Sequence, residues 1–315
     1  MKNIFPKIIF LGTPEFSVPA LLKLIELDYH PILVMTQPDK PAGRNKALTP
    51  PPIKKIALDH KLPLAQPKNK KELTEIFEKL DCDLGVLVAF GQILPQIVLN
   101  KPRLGILNIH PSLLPQYRGS SPIQSAIMNG DKKTGISIIK LSDKVDAGDI
   151  VAQAELELDQ SEDAEILHDK LANLGAKLLL EILPDYLAGK IIPKIQDDSR
   201  ATFTVMINRE DGQIDWSKTA GQIERQSRAF FPWPGVFTYL NGKRLKIAKL
   251  SVLDPNFKPN QPVGTVFLGE NESLAVQCGQ GQVALEKLQL EGKKELTAKD
   301  FIVGNKIIGK VLNFK

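Results

Sequence analysis

Four short apolar runs constrain this chain more than anything else in it. Residues 8–11, 32–35, 84–89 and 104–109 are nearly free of charged or polar side chains. A strand without polar alternation is buried on both faces, which is the pattern of a parallel sheet covered by helices on either side. The stretches between the runs carry helical spacing, around residues 18–27 and 70–80. Ser17 is placed to cap the first of these, and Pro19 is tolerated in its opening turn. A longer helix starts at Ser161, with Glu162, Asp163 and Glu165 near its positive end. Leu167, Leu171, Leu174 and Leu178 recur along its core face, and Pro184 with Gly189 is expected to end it. The first half of the chain is therefore predicted to be α/β with a parallel sheet.

The texture changes after about residue 206. Residues 235–240 and 245–250 flank Asn241-Gly242, a strong hairpin signal. Further short β segments at 265–268, 274–277, 283–286 and 307–312 predict a small all-β barrel behind one leading helix at 220–230. A length of 315 residues exceeds what one core usually supports. The expected division is residues 1–190, a linker at 191–206, and residues 207–315.

Charge follows that division. Residues 207–315 hold 16 basic and 11 acidic side chains, while residues 1–206 balance at 25 of each. Inside the neutral part, residues 36–55 carry Lys40, Arg44, Lys46, Lys54 and Lys55 against Asp39 alone. Pro38, Pro41, Gly43 and the prolines at 50–52 leave this stretch without periodicity, so it is predicted to be a long loop leaving the second strand. Two basic zones make a polyanionic partner the natural expectation. The only cysteines, Cys82 and Cys278, are far apart and build neither a disulfide framework nor a zinc ligand set. No apolar run approaches the ~18 residues of a membrane span, and the start of the chain reads as neither signal nor transit segment. A cytoplasmic, metal-free protein is expected.

The first strand runs into Gly12-Thr13-Pro14-Glu15 rather than G-x-G-x-x-G, which argues against a dinucleotide site. Of four histidines, His30, His60 and His168 have surface or packing surroundings. His110 differs: it ends an apolar strand, at the edge where open parallel sheets bind ligands. Asn108 lies two residues earlier and leaves the same face if the strand extends that far. An amide donor beside an imidazole suits oxyanion stabilisation and proton transfer, although on pattern alone the pair reads more simply as the end of a strand. The acidic segment 142–149 places Asp143, Asp146 and Asp149 three residues apart, unlike an EF-hand. It is either a solvated turn or the source of a carboxylate that orients the imidazole, and spacing does not choose among the three.

Asn108-Ile109-His110-Pro111-Ser112-Leu113-Leu114-Pro115, then Tyr117-Arg118-Gly119, resembles the signature of the folate-dependent formyltransferases. Pro122-Ile123-Gln124 and Asp146-Ala147-Gly148-Asp149 match the same family in order and distance. The resemblance covers nearly the whole chain, and Pro111 stands where some relatives carry glycine. Gly12-Thr13-Pro14-Glu15-Phe16, the 36–46 loop, Phe231-Pro232-Trp233-Pro234-Gly235 and the basic β domain point to the tRNA-formylating branch. The resemblance implies a Rossmann-like catalytic domain joined to an OB-like barrel that binds tRNA. The donor would be 10-formyltetrahydrofolate and the acceptor the α-amine of methionine on initiator tRNA, in translation initiation. Asn108 and His110 would stabilise the tetrahedral oxyanion, with Asp146 holding the His110 ring. Ser112, Leu113, Leu114 and Pro115 would line the folate site; Lys40, Arg44 and Lys46 would contact tRNA. No metal is implied, and a monomer is the default. Two rival readings are formyl transfer to a small amine, which leaves the basic loop unexplained, and a non-catalytic RNA-binding protein.

Overall fold

The centre of the first half is a strand with no exposed position, β1 (Ile8–Gly12). In this computed structural model, residues 6–42, 47–258, 261–269 and 272–312 are described. The next strands are β2 (Leu33–Met35), β3 (Lys40–Ala42), β4 (Ala47–Thr49), β5 (Leu64–Ala65), β6 (Leu84–Val88) and β7 (Ile106–His110). They are followed by β8 (Arg118–Gly119), β9 (Lys133–Lys140), β10 (Asp149–Glu157) and β11 (Phe203–Thr204). Seven of them form one sheet in the order β10-β9-β7-β6-β1-β2-β5. The five strands from β7 to β5 are mutually parallel, as their apolar runs predict. Helices α1 (Val18–Glu26), α2 (Pro52–Asp59), α3 (Lys70–Lys79), α4 (Gln96–Leu99) and α5 (Pro122–Asn129) alternate with these strands along the chain. One side of the sheet packs Ile9, Leu11, Met35 and Ile106 against Leu73 and Phe77 of α3.

The sheet is mixed at one edge, where two antiparallel strands extend the parallel core. Strand β9 runs antiparallel to β7, and β10 antiparallel to β9. Small and polar residues in β9, Thr134, Gly135 and Ser137, conceal a strand whose interior is fully buried. The β9–β10 connection is the acidic segment, brought back to the end of β7.

Three local expectations also change. Ser17 occupies the cap position of α1 (Val18–Glu26), but its hydroxyl donates to the Pro14 carbonyl at 2.6 Å instead of capping the helix. The long helix α6 (Ala164–Leu187) passes through Pro184 and stops before Gly189, whose φ is +70°. Packing outweighs the hydrogen bond that proline removes: Leu183 and Tyr186 are buried, and the Tyr186 hydroxyl donates to the Leu104 carbonyl at 2.8 Å. The expected loop after β2 is in part an antiparallel ribbon, with Lys40 of β3 opposite Thr49 of β4.

The chain divides into two compact units. The first comprises Met1–Pro122, Lys133–Glu157 and His168–Thr204, the second Ile123–Lys132, Leu158–Leu167 and Val205–Lys315. In the second, helix α7 (Ala220–Ala229) opens with a capping box between Thr219 and Gln222. Strands β12 (Val236–Leu240) and β13 (Lys243–Asp254) meet at Asn241 and Gly242, both at positive φ, as a tight primed turn requires. With β14 (Val266–Leu268), β15 (Leu274–Gln277), β16 (Gln282–Leu290) and β17 (Leu296–Thr297) they form an antiparallel sheet ordered β12-β13-β16-β15-β14, with β17 on β16. Register shifts along β13 bend it into a curled half-barrel. The expected last strand at 307–312 is not one. Only Val311 bridges to Thr265, and helix α8 (Ala298–Gly304), unforeseen in the sequence, precedes it.

Candidate active site

Strand β7 extends to His110, so Asn108 and His110 leave one face of the sheet two residues apart. Both are buried, at 7% and 4% exposure. Hydrophobic neighbours flank Asn108, which stands opposite Leu87 of β6 and Ile139 of β9. Its side-chain amide has no hydrogen-bond partner among the described residues. A buried amide held on a rigid strand with its donors unspent suits a developing negative charge.

The His110 ring is held from two sides. Its Nε2 lies 2.9 Å from the Tyr117 carbonyl, and its Nδ1 lies 3.6 Å from Asp146 Oδ1. The second distance is a charge contact rather than a hydrogen bond. Both partners are acceptors, an arrangement that complements an imidazole donating from both nitrogens.

The structure chooses among the three aspartates. Asp143 is exposed, Asp149 begins β10, and only Asp146 faces His110. Asp146 sits at φ +51°, and its Oδ2 accepts from the Gly119 backbone N–H at 2.9 Å. Nearby, a Cβ added at Gly148 would lie 1.9 Å from the Lys140 carbonyl oxygen, so only glycine lets this connection close.

The segment expected to line a folate site has two sides. Ser112 and Leu114 turn inward and are fully or nearly fully buried. The Ser112 hydroxyl donates to the Gln116 carbonyl at 2.6 Å, and the Ser112 carbonyl accepts from Ser137. The Leu114 N–H donates to Ser137 Oγ, and its carbonyl accepts from Gln153. These two residues shape the segment, and their bonded groups are spent on it. Leu113 and Pro115 are only half-buried and remain available to a ligand.

Lys40 is exposed on β3; Arg44 and Lys46 lie outside the described residues. The base of the ribbon is tied down at Asp39. Its carboxylate accepts from Lys54 Nζ at 2.7 and 2.8 Å and from Gln66 Nε2 at 2.8 Å. The Gln66 hydrogen bond first, then that of Lys54, holds the Asp39 carboxyl below its ordinary range.

Two features escaped sequence reasoning. Gln196 and Arg118, both buried, form a polar chain beneath the Asp146 connection. Gln196 falls in the expected linker, and no pattern there marks it. The second unit carries a groove of about 550 Å3 lined by Arg209, Trp233, Arg244 and Lys246. There the Arg244 guanidinium lies 3.4 Å over the Phe237 ring.

Comparison with known proteins bears directly on this constellation. Residues 6–183 match the formyl transferase family and residues 206–306 the formyl transferase C-terminal domain. A methionyl-tRNA formyltransferase of Bacillus subtilis is 45% identical over 303 residues, covering 95% of this chain and 94% of its own length. The chain belongs to the methionyl-tRNA formyltransferases. Solved structures reproduce the fold of this formyltransferase at low identity. An N-formyltransferase from Helicobacter canadensis, in complex with folinic acid and dTDP-3-aminofucose, gives a TM-score of 0.68 at 18% identity. That match covers 89% of this chain and 98% of the other. HypX from Aquifex aeolicus gives 0.64 at 19% identity, covering 96% of this chain, which spans 48% of HypX. Among the described residues of this formyltransferase, no helix is long and apolar enough to cross a membrane, and no cluster of His, Cys, Asp or Glu could hold a metal ion.

Proposed function

We propose that this methionyl-tRNA formyltransferase takes its formyl group from 10-formyltetrahydrofolate and delivers it to the α-amine of methionine esterified to initiator tRNA. One observation carries the reading. His110 sits between the Tyr117 carbonyl and the Asp146 carboxylate, on the same strand face as Asn108, whose amide has no partner among the described residues. The amine attacks the formyl carbon, and the carbonyl electrons move onto oxygen. Asn108 stabilises that oxyanion by donating its side-chain N–H, and His110 does so by turning Nε2–H from the Tyr117 carbonyl toward the oxygen while Asp146 keeps Nδ1. Collapse expels the folate nitrogen, which needs a proton. Of the two groups around the ring, the neutral carbonyl is the weaker acceptor, so the Nε2 proton is the one His110 gives up to the leaving nitrogen, and the ring takes the surplus proton of the attacking amine in exchange. Asp146 fixes the ring and balances its charge. Leu113 and Pro115 flank the folate, with Ser112 and Leu114 supporting them from below.

The tRNA is met in two places: by Lys40 on the ribbon with Arg44 and Lys46, which follow it in sequence, and by residues 207–315. Arg209, Arg244 and Lys246 there offer charge for phosphates, and the exposed Trp233 offers a stacking face. The deciding experiment supplies labelled 10-formyltetrahydrofolate with either charged initiator tRNA or small amines, including nucleotide-linked amino sugars. Label on methionyl-tRNA is expected. Label on a small amine alone would transfer the assignment to that substrate class.

A further inference from the structure

We infer that Gln196 is a positioning residue for formyl transfer, holding the Asp146 connection in the conformation that faces His110; this rests on the reading of His110 and Asp146 as a catalytic pair. Gln196 Nε2 donates to the Asp146 carbonyl at 2.8 Å and to the Gly148 carbonyl at 2.7 Å. Gln196 Oε1 accepts from Arg118 Nε at 3.1 Å and Arg118 Nη2 at 2.8 Å. A glutamine amide has two donors and two acceptor sites, and all four are engaged. Arg118 sets the direction of the amide, because a guanidinium can only donate. The oxygen must face it, and the NH2 group must therefore face the connection. Arg118 is itself fixed by an ion pair with Asp198 at 2.6 Å and by the pairing of β8 with β11.

The connection needs such a hold. Asp146 is a non-glycine residue at φ +51°, a conformation that persists where surrounding contacts over-determine it. Its Oδ2 is already bound to the Gly119 N–H, so fixing its carbonyl fixes the whole residue and leaves Oδ1 toward His110. Without Gln196 the backbone at 146 is free to relax to negative φ, and the carboxylate then leaves Nδ1. All the hydrogen bonds of its side chain go to Arg118, Asp146 and Gly148 and none to His110 or Asn108, so its influence runs through Asp146.

The test is a double-mutant cycle on the full chain. Gln196→Met removes the amide at similar volume. Gln196→Glu keeps the shape and the Arg118 contact but turns a carboxylate oxygen toward two carbonyls, so it answers the question if the methionine variant folds poorly. For either variant kcat should fall roughly 10- to 100-fold, the scale of a small misplacement of a reacting group, with KM for folate and for tRNA changed less than about two-fold. In the Asp146→Asn background the same substitution should cause almost no further loss, because the group it positions is no longer functional. Multiplicative losses, or wild-type kcat in both Gln196 variants while Asp146→Asn is inactive, would overturn the proposal. Full activity in Asp146→Asn itself would instead overturn the catalytic pair on which the proposal rests. A lowered melting temperature with unchanged kcat would reduce Gln196 to a structural residue and likewise overturn it.

Discussion

On the proposed mechanism Asn108 and Asp146 would do different work on one intermediate, and their variants should differ accordingly. Asn108→Ala removes an oxyanion donor from a rigid strand and should lower kcat by roughly 100-fold or more, the usual loss for such a donor. Folate affinity, measured by calorimetry, should hardly change. A large affinity loss at normal turnover would place Asn108 in binding instead. Asp146→Asn should nearly abolish turnover while Asp143→Asn leaves it near wild type. An amide cannot balance an imidazolium or hold its orientation as a carboxylate does, and Asp143 is exposed, away from the ring. Equal losses in steady-state kinetics would make the connection structural as a whole. Strand alternation made Asn108 and His110 legible as a pair from sequence. Spacing alone left Asp143, Asp146 and Asp149 equivalent and only the family motif pointed to Asp146; its contact with His110, and the inward turn of Ser112, depend on tertiary packing.

At the scale of elements, the ribbon from β3 to β4 is the clearest departure from the sequence reading. Prolines and glycine suggested a loop, yet backbone pairing of Lys40 with Thr49 rigidifies its stem. Gln66 and Lys54 tie that stem to the body through Asp39. Two variants separate charge from tethering. Arg44→Ala should raise KM for charged tRNA and flatten the log–log salt dependence of tRNA affinity by about one unit. Gln66→Met removes two tethering hydrogen bonds, to the Gln37 carbonyl and to Asp39, without altering charge; it should raise KM for tRNA roughly 5- to 30-fold, the equivalent of about 1–2 kcal/mol, at unchanged slope. Both should spare folate binding. Unchanged tRNA kinetics and slope in Arg44→Ala would return the ribbon to solvated surface.

At the scale of the molecule, the two units can be followed through their cysteines. Cys82 belongs to the first core and Cys278 to the second, and burial raises the pKa of both thiols. Cys278 is pushed from 9.0 to about 12. Between those values the unfolded chain releases the thiol proton while the folded second unit retains it. Stability is therefore undiminished below pH 9 and falls as pH rises toward 12, by about 1.4 kcal/mol per pH unit from this group. Cys278→Ala should remove that increment from the pH dependence of urea unfolding. A parallel dependence in wild type and variant would show that the thiol does not contribute.

The amino-acid sequence alone determined where the central strands lie, that Asn108 and His110 share a face, that a turn forms at Asn241-Gly242, and where positive charge accumulates. Each of these is a local property, written in periods of two residues, in turn chemistry or in composition. Tertiary structure decided the rest. It reversed β9 and β10, carried α6 through Pro184, chose one aspartate of three, and set Gln196 beneath it. The bonds that make those choices join residues far apart along the chain: 27 positions from Gly119 to Asp146, 50 from Asp146 to Gln196 and 78 from Arg118 to Gln196. Their free energy is realised only once the sheet has brought the segments together, so no window of neighbouring residues carries a trace of them.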